Sequence, residues 1–228
     1  MTVVIITPIE EERDSLALTL ERRGRKAREH RIGRLDGTSY HDGAVPLVLG
    51  GLGKAQFAIH TQHVLDQLDD VSTVICAGVA GAISDSVSVG DVVVATTTVE
   101  HDFNSKASFE NLPTFPGHAP QLSTLDGLES PGRSFAIHLG PVASGDEGVA
   151  DAGRARELHE ATGALAVSWE GAGGARAATF SGVPYLEVRG ISDNADSEAS
   201  DVWTDNLPSA KSNVAVVIDE LLKQVLLS

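Results

Sequence analysis

The hydrophobic residues of this chain cluster in seven short runs, each bounded by turn-forming residues. Most of the runs are rich in β-branched residues and are too short to form helices, so they predict buried strands. The runs cover residues 3–6, 45–49, 74–77, 92–95, 136–139, 165–167 and 185–188.

Between these runs, apolar residues recur at helical spacing. They predict helices over residues 14–22, 55–68, 152–161, 171–180 and 209–226. Strands that alternate with helices are typical of an α/β fold, so we expect a twisted, mixed but mostly parallel central sheet with helices on both faces. No linker rich in Pro, Gly or Ser divides the 228 residues, and a chain of this length can bury one full core. Residues 1–228 are therefore expected to form a single domain.

The segment 101–122 does not follow either pattern. It contains three prolines and three phenylalanines without clear periodicity. Long irregular loops in compact domains usually serve binding or an interface, so we expect one of these roles here.

Charge narrows the range of partners. The 17 basic and 32 acidic residues give a net charge of −15. Nonspecific affinity for nucleic acid or an anionic membrane comes from Lys and Arg, so neither is expected as a partner, and a small neutral or cationic ligand fits better.

The N-terminus lacks a basic signal region, and no apolar run approaches the ~20 residues of a spanning helix. The lone Cys76 is expected to be a small buried residue rather than a nucleophile, which favours a reducing, cytoplasmic location.

Three carboxylates stand at junctions between predicted strands and helices. Glu12 follows the first strand, Glu170 opens the helix 171–180, and Asp193 lies just beyond the strand 185–188. Because α/β sheets build their sites at the carboxyl ends of strands, such a fold could gather all three at one edge. Several carboxylates without a metal-ligand pattern suit general acid–base chemistry on a neutral, hydroxyl-rich substrate. The competing interpretation is three unrelated surface acids.

Other motifs give weaker signals. Residues 50–54 (GGLGK) lack positions that the Walker and dinucleotide patterns require, so they indicate either a close backbone approach or a tight turn. His60 and His63 have no accompanying ligand pattern, and we expect packed or solvated histidines, with no metal site and no cofactor. A structural role is preferred for His101 and Asp102, and no motif supports covalent catalysis.

A further set of short motifs runs in order along nearly the whole chain. They are 9–12 (IEEE), 51–55 (GLGKA), 77–81 (AGVAG), 89–93 (VGDVV), 101–102 (HD), 144–146 (SGD), 169–172 (WEGA) and 189–196 (RGISDNAD). Together they resemble the purine nucleoside phosphorylase/nucleosidase superfamily, most closely its methylthioadenosine/S-adenosylhomocysteine nucleosidases. The resemblance implies a three-layer α/β/α fold of the nucleoside phosphorylase type.

The resemblance also implies an activity, the hydrolysis of an N-glycosidic bond through a transition state that resembles a ribosyl cation. The substrates would be 5′-substituted adenosines, and adenine would be released. Asp193 would protonate or hydrogen-bond purine N7, Glu12 would deprotonate the attacking water, and Glu170 would bind the ribose hydroxyls. These roles agree with the chemistry, since the leaving base needs a proton and the weak nucleophile needs a base.

Further binding residues follow from the same resemblance. Ser192 would hold Asp193, Arg189 would lie near the water, and Val149 would recognise the base through its backbone. The loop from Phe103 to Pro120, which includes Pro113, would cross a dimer interface and cover the neighbour's 5′-substituent pocket. The protein is therefore expected to be a homodimer.

The chain departs from the nucleosidase pattern at three positions. Val79 stands where the nucleosidases have Ser, Gly148 where a Phe stacks on adenine, and Trp169 where they have Met. The indole of Trp169 could supply the aromatic face lost at 148, or it could fill core space.

Several functions stay open at this stage. The carboxylates at the first junction favour water over phosphate as the acceptor, and Asp193 weighs against futalosine hydrolases, in which Asn is expected. The alternatives are a phosphorylase or hydrolase of another purine nucleoside, including a futalosine type, and a nucleoside-binding protein with weak catalysis.

Overall fold

The central strands form because their side chains are almost all apolar and can be buried on both faces of a sheet. The computed structural model describes residues 1–103, 111–118, 122–123 and 133–225. Its elements in chain order are β1 (Thr2–Thr7), α1 (Glu10–Arg22), β2 (Arg28–Ile32), β3 (Leu35–Tyr40), β4 (Val45–Leu49), α2 (Gly53–Gln67), β5 (Val71–Ala82), β6 (Val92–Glu100), β7 (Thr114–Pro116), β8 (Ile137–Ser144), α3 (Ala152–Thr162), β9 (Ala166–Ser168), α4 (Gly171–Phe180), β10 (Tyr185–Asp193) and α5 (Ala199–Val225). The predicted strands and helices are all present within the described ranges, and the α/β fold class is confirmed.

The strand order is β10-β6-β8-β9-β5-β1-β4-β3-β2, with β7 paired to β6. The long β5 runs parallel to both β1 and β10 and then pairs with β9 at its far end. Because β10 also pairs with β6, the strands β10, β6, β8, β9 and β5 form a closed ring. The pairings β1–β4, β6–β8 and β8–β9 are parallel as well, so many carboxyl ends of strands lie at one edge.

Helices cover the sheet on both faces. One core cluster combines Leu16 and Leu20 of α1 with Ile218 and Leu221 of α5. On the other face, α2 and α4 pack together and contribute residues such as Phe57 to a second cluster. Three layers result, with the sheet in the middle.

Three strands were not expected from the sequence. Strands β2 and β3 form an antiparallel hairpin at the edge of the sheet, and β2 has Ile32 as its one buried residue. A strand with so little apolar surface gives no hydrophobic run. The third, β7, has only three residues.

The last helix begins ten residues earlier than the expected start at 209, because it continues through Pro208. The prediction started after this proline, which removes a backbone donor. The described helices include none that is long and apolar enough to cross a membrane. Within the expected interface segment, positions 104–110 and 119–121 lie outside the described residues, and so does 226, the expected end of the last helix.

Candidate active site

A cavity of about 540 Å³ opens at the edge where the carboxyl ends of β1, β4, β5, β8, β9 and β10 meet. Its walls are formed by Pro8, Ile9, Glu12, Leu52, Val79, Ala80, Gly81, Gly148, Val149, Ala150, Val167, Ser168, Trp169, Glu170, Ser192, Asp193 and Ala199. The three carboxylates predicted from separate junctions therefore share one cavity, although nearly 160 residues separate the first from the second in the chain. Most of the wall is apolar, which suits a ligand with a planar base.

Glu12 lies in the first turn of α1 and is 6% exposed. Its Oε1 accepts a 2.7 Å hydrogen bond from Val79 N, and its Oε2 accepts one of 3.1 Å from Ile9 N. Burial raises the pKa of Glu12 to about 7, although the nearby Arg189 and the two amides act in the opposite direction. The carboxyl can therefore exchange a proton near neutral pH.

Arg189 lies fully buried behind the cavity and connects the carboxylates. Its Nη2 is 3.3 Å from Glu170 Oε2, and its Nη1 donates to Val79 O over 3.3 Å. Its Nε donates to Glu187 Oε1 over 2.8 Å. Arg189 thus fixes the carboxylate of Glu170 from behind rather than lining the cavity.

Glu187 is the functional neighbour that sequence reasoning missed. It is fully buried and accepts two further hydrogen bonds, from Ser168 Oγ (2.7 Å) and Thr98 Oγ1 (2.6 Å). The available signal was a carboxylate in the middle of the apolar run 185–188, because such a residue requires buried partners.

The backbone of β5 passes close to this charged group at Gly78. A Cβ there would lie 2.6 Å from Arg189 Nη1 and 2.9 Å from Glu12 Oε1. Only glycine at this position of β5 leaves room for both the guanidinium of Arg189 and the carboxylate of Glu12. Burial also raises the pKa of Glu170, although the positive charge of Arg189 acts to lower it.

Asp193 stands at the end of β10 and is held on both carboxylate oxygens. Its Oδ2 is 2.8 Å from Ser192 Oγ, and its Oδ1 accepts a 2.9 Å hydrogen bond from Ala195 N. The Ser192 carbonyl in turn accepts from Asn206 Nδ2 of α5 over 3.0 Å. This arrangement fixes the direction in which Asp193 faces the cavity.

Trp169 lines the cavity opposite the loop that contains Gly148, a residue without a side chain. Its Nε1 donates to Glu147 O over 2.9 Å, and a Cβ built on Gly148 would lie 3.8 Å from its Cζ2. The indole is 44% exposed, so it is a wall of the cavity rather than a core residue.

The segment 50–54 makes close backbone contacts with carboxylates of the protein itself. At the start of α2, Gly53 N donates to Glu170 Oε1 (3.3 Å) and Lys54 N donates to Asp146 Oδ1 (2.8 Å). The amides that would hold a phosphate in a phosphate-binding loop are therefore occupied. Gly51 and Gly53 adopt positive φ angles, as is typical of a tight turn.

The remaining candidates lie elsewhere. Phe103 and Pro113 are not part of the cavity wall, and their predicted role in a partner's pocket stays a prediction. His60 Nδ1 is 3.2 Å from Leu49 O, and His63 Nε2 accepts from Arg34 N over 2.9 Å.

Cys76 is buried, as expected. Its Sγ accepts a 3.3 Å hydrogen bond from Arg189 Nη2, and burial raises the pKa of its thiol.

Comparisons with known proteins agree with this geometry. The 5′-methylthioadenosine/S-adenosylhomocysteine nucleosidase of an Exiguobacterium species is 30% identical over 79% of this chain and 81% of that protein. The aminodeoxyfutalosine nucleosidase of Helicobacter pylori is 30% identical over 71% of this chain and 72% of that protein. A solved structure of the methylthioadenosine/S-adenosylhomocysteine nucleosidase from S. pneumoniae, bound to the transition-state inhibitor MT-ImmA, has a TM-score of 0.85 at 27% identity. It covers 99% of this chain and 100% of that chain.

A family model described as the phosphorylase superfamily matches residues 2–223. The match extends over nearly the whole chain, and the order of the sequence motifs and the fold agree with it. The chain therefore belongs to the phosphorylase superfamily.

Proposed function

We propose that this protein is a purine nucleosidase that hydrolyses the N-glycosidic bond of 5′-substituted adenosines, such as methylthioadenosine and S-adenosylhomocysteine, and releases adenine. The observation that carries the proposal is one cavity in which Glu12, Glu170 and Asp193 converge. The nucleosidase relatives of the chain support the same class of substrate.

Glu12 is the proposed base. A water molecule is a weak nucleophile, and a carboxylate with a pKa of about 7 can accept its proton at neutral pH. The hydrogen bonds from Val79 N and Ile9 N hold the carboxylate in place for this transfer. A general base of this kind is typically worth about 10²–10⁴ in rate.

The ribose is proposed to lie against Glu170. As the glycosidic bond breaks, the sugar gains positive charge, and a carboxylate nearby stabilises it. Glu12 and Glu170 in the cavity wall, together with Glu187 behind it, give three carboxyl groups against the single guanidinium of Arg189. This excess of acidic groups favours a cationic sugar.

Asp193 is the proposed acid at the base. Its carboxyl group is held by Ser192 Oγ and Ala195 N at the rim of the cavity. A proton delivered to purine N7, or shared with it, lets adenine leave as a neutral molecule.

Water is the proposed acceptor instead of phosphate. The wall residues described for the cavity include no Lys or Arg, and Arg189 behind them is already paired with Glu170 and Glu187. A phosphate dianion would meet carboxylates without a free cation.

The adenine ring is proposed to stack on Trp169. The indole stands beside Gly148, where the family pattern has a stacking Phe, and its hydrogen bond to Glu147 O fixes its plane. The backbone of Val149, in the same wall, is the proposed partner of the base edge. We also propose that the protein is a cytoplasmic homodimer active in methionine salvage.

The test is chromatographic detection of the free purine base, adenine or, from inosine, hypoxanthine, after incubation with methylthioadenosine, S-adenosylhomocysteine, aminodeoxyfutalosine, adenosine and inosine, each with and without phosphate. Release of adenine without phosphate is expected, and the relative rates rank the 5′-substituents. Asp193→Asn should lower kcat by about 10²–10⁴.

Asp196→Asn is the matched control, because Asp196 lies three residues further along and is not part of the cavity wall. It should stay close to the wild-type rate. Adenine release that requires phosphate, or no release from any of the five nucleosides, would overturn the proposal.

A further inference from the structure

A second cavity, of about 430 Å³, shares no residue with the candidate active site. It lies where the end of α1, the start of β2 and the last turns of α5 meet. Its wall contains five cationic side chains, those of Arg23, Arg25, Lys26, Arg28 and Lys223.

The charge of this region is opposite to that of the whole chain. Residues 22–34 (RRGRKAREHRIGR) hold seven of the 17 basic residues of the sequence and a single acid, Glu29, while the net charge of the chain is −15. Basic side chains commonly compensate the dipole at the C-terminus of a helix, which accounts for Arg22 and Arg23 at the end of α1. That explanation does not reach Lys26 and Arg28, which lie beyond the helix and face the same cavity.

A buried carboxylate holds three of the cations in place. Asp219 is fully buried and accepts from Arg25 Nε (2.7 Å), Arg23 Nη1 (2.9 Å) and Lys223 Nζ (2.8 Å). Although burial acts to raise it, these hydrogen bonds keep the pKa of Asp219 below its ordinary value. One carboxylate thus faces three cations and leaves two positive charges uncompensated.

The other lining groups add to this excess. Lys26 makes no ion pair with any described residue, and Arg28 pairs with the exposed Asp42 over 2.7 Å. Arg25 Nη1 contacts His41 Nε2, and burial, together with the positive charge of Arg25, lowers the pKa of that imidazole. Five cations against Asp219 and Asp42 give the cavity a net charge of about +3.

We propose that this cavity binds a small polyphosphate anion. Arginine forks and ammonium groups that approach from several directions match the oxygens of phosphate groups, and three of the five cations are already positioned by Asp219. A long nucleic acid would meet the negative charge of the rest of the chain, whereas a small anion responds to charges within the screening length of about 8 Å.

The test is calorimetric titration of the full chain with sodium tripolyphosphate at constant ionic strength. Saturable binding of one anion per chain is expected. The double variant Lys26→Gln/Arg28→Gln should weaken binding at least tenfold, and it leaves the partners of Asp219 untouched.

Arg31→Gln is the matched control, since Arg31 belongs to the same basic segment, pairs with an exposed Asp as Arg28 does, and lies outside the cavity. It should bind as tightly as the wild type. No binding to the wild type would overturn the proposal. It would also be overturned if the loss of binding free energy per removed charge were as large in Arg31→Gln as in the double variant, since this would indicate diffuse attraction. Tighter binding of a single-stranded RNA oligonucleotide than of tripolyphosphate would overturn it too and assign the surface to nucleic acid. None of these outcomes depends on the nucleosidase assay.

Discussion

The Glu12 carboxyl is buried between two backbone amides, and this environment couples its protonation to both catalysis and stability. In the folded protein its pKa is about 7, against 4.5 for an ordinary glutamate. The folded state therefore binds the proton more tightly than the unfolded state. The stability linked to this group is fully present below about pH 4.5 and is lost as the pH rises through about 7.

We expect Glu12→Gln to lose activity and gain stability at alkaline pH. In the wild type, kcat/KM should rise with pH until Glu12 is ionised near pH 7. In the variant, kcat/KM should be lower by a factor of about 10²–10⁴ and should not show this rise. Between pH 5 and pH 8 the free energy of unfolding of the wild type should fall by on the order of 2–3 kcal/mol relative to that of the variant, because only the wild type has to bury a charge at the higher pH. Steady-state kinetics and urea unfolding at pH 5 and 8 measure both effects.

Glu11→Gln is the control for this experiment, since Glu11 is exposed in the same turn. A stability difference between Glu12→Gln and wild type that is the same at pH 5 and pH 8 would show that Glu12 is not a buried titrating group.

Glu187 anchors the buried charge network, and its replacement should cost more than that of a surface acid. Glu187→Gln keeps the side-chain size but leaves Arg189 with Glu170 as its remaining close carboxylate. Breaking a buried ion pair typically lowers the free energy of unfolding by about 3–5 kcal/mol. We expect a decrease near the lower end of this range, because the amide keeps some of the hydrogen bonds.

Urea unfolding at pH 7 measures this loss, with Glu157→Gln as the control. Glu157 is exposed and pairs with Arg154 on α3, so its loss should stay within about 0.5 kcal/mol. Similar small losses in both variants would contradict a structural role for the Glu187–Arg189 pair.

At the scale of elements, the wall for the base is made by two segments that are far apart in sequence. The loop between β8 and α3 presents Gly148, and the junction between β9 and α4 presents Trp169. The sequence pattern suggests that the indole of Trp169 supplies the aromatic face lost at Gly148. A Cβ built on Gly148 would lie 3.8 Å from Cζ2 of the indole, so the two positions are close enough for this compensation. The compensation itself stays a prediction.

We expect Trp169→Ala to raise the KM for methylthioadenosine by about fivefold to 150-fold, because a stacking partner of the base is worth about 1–3 kcal/mol. Trp169→Phe keeps an aromatic face and should stay within a few-fold of the wild type. Steady-state kinetics of both variants, with circular dichroism to verify folding, give the answer. An unchanged KM in Trp169→Ala would mean that the indole only closes the cavity.

The elements that were predicted and those that were not differ in their burial. Strand β1 could be predicted because Val3 to Ile6 are all fully buried, which requires an apolar run. The hairpin of β2 and β3 could not, because it lies at the sheet edge and is held mainly by backbone hydrogen bonds, which leave no pattern in the side chains. The start of α5 was missed because Pro208 stands inside it.

At the scale of the whole molecule, an apolar patch on α2 and α4 supports the proposed homodimer. Phe180 is 84% exposed and Ile59 is 67% exposed. The helices that carry them pack together, and Gln62, one turn after Ile59, contacts Ser181 beside Phe180 at 3.1 Å. Large apolar side chains grouped on a surface mark an interaction site more often than chance exposure.

We expect Phe180→Asp to shift the protein from dimer to monomer, because it places a charge in the centre of an apolar interface. Light scattering coupled to size-exclusion chromatography measures the mass, which is 23.8 kDa for one chain. Leu18→Asp is the control, since Leu18 is an exposed apolar residue on α1, and it should leave the dimer intact. A monomeric wild type, or a dimeric Phe180→Asp, would contradict this interface.

The sequence by itself determined which segments become buried strands and helices, since period and apolar run length follow from burial. It also determined the family, through the order of short motifs, and it identified Glu12, Glu170 and Asp193 as candidate catalytic residues. Only the tertiary structure decided that these three share one cavity, that Arg189 stands behind it and that Glu187 holds Arg189. Their distances depend on the pairing of β5 with β1 and β10. The pKa of Glu12 depends on this pairing too, because it arises from burial and from partners that are distant along the chain.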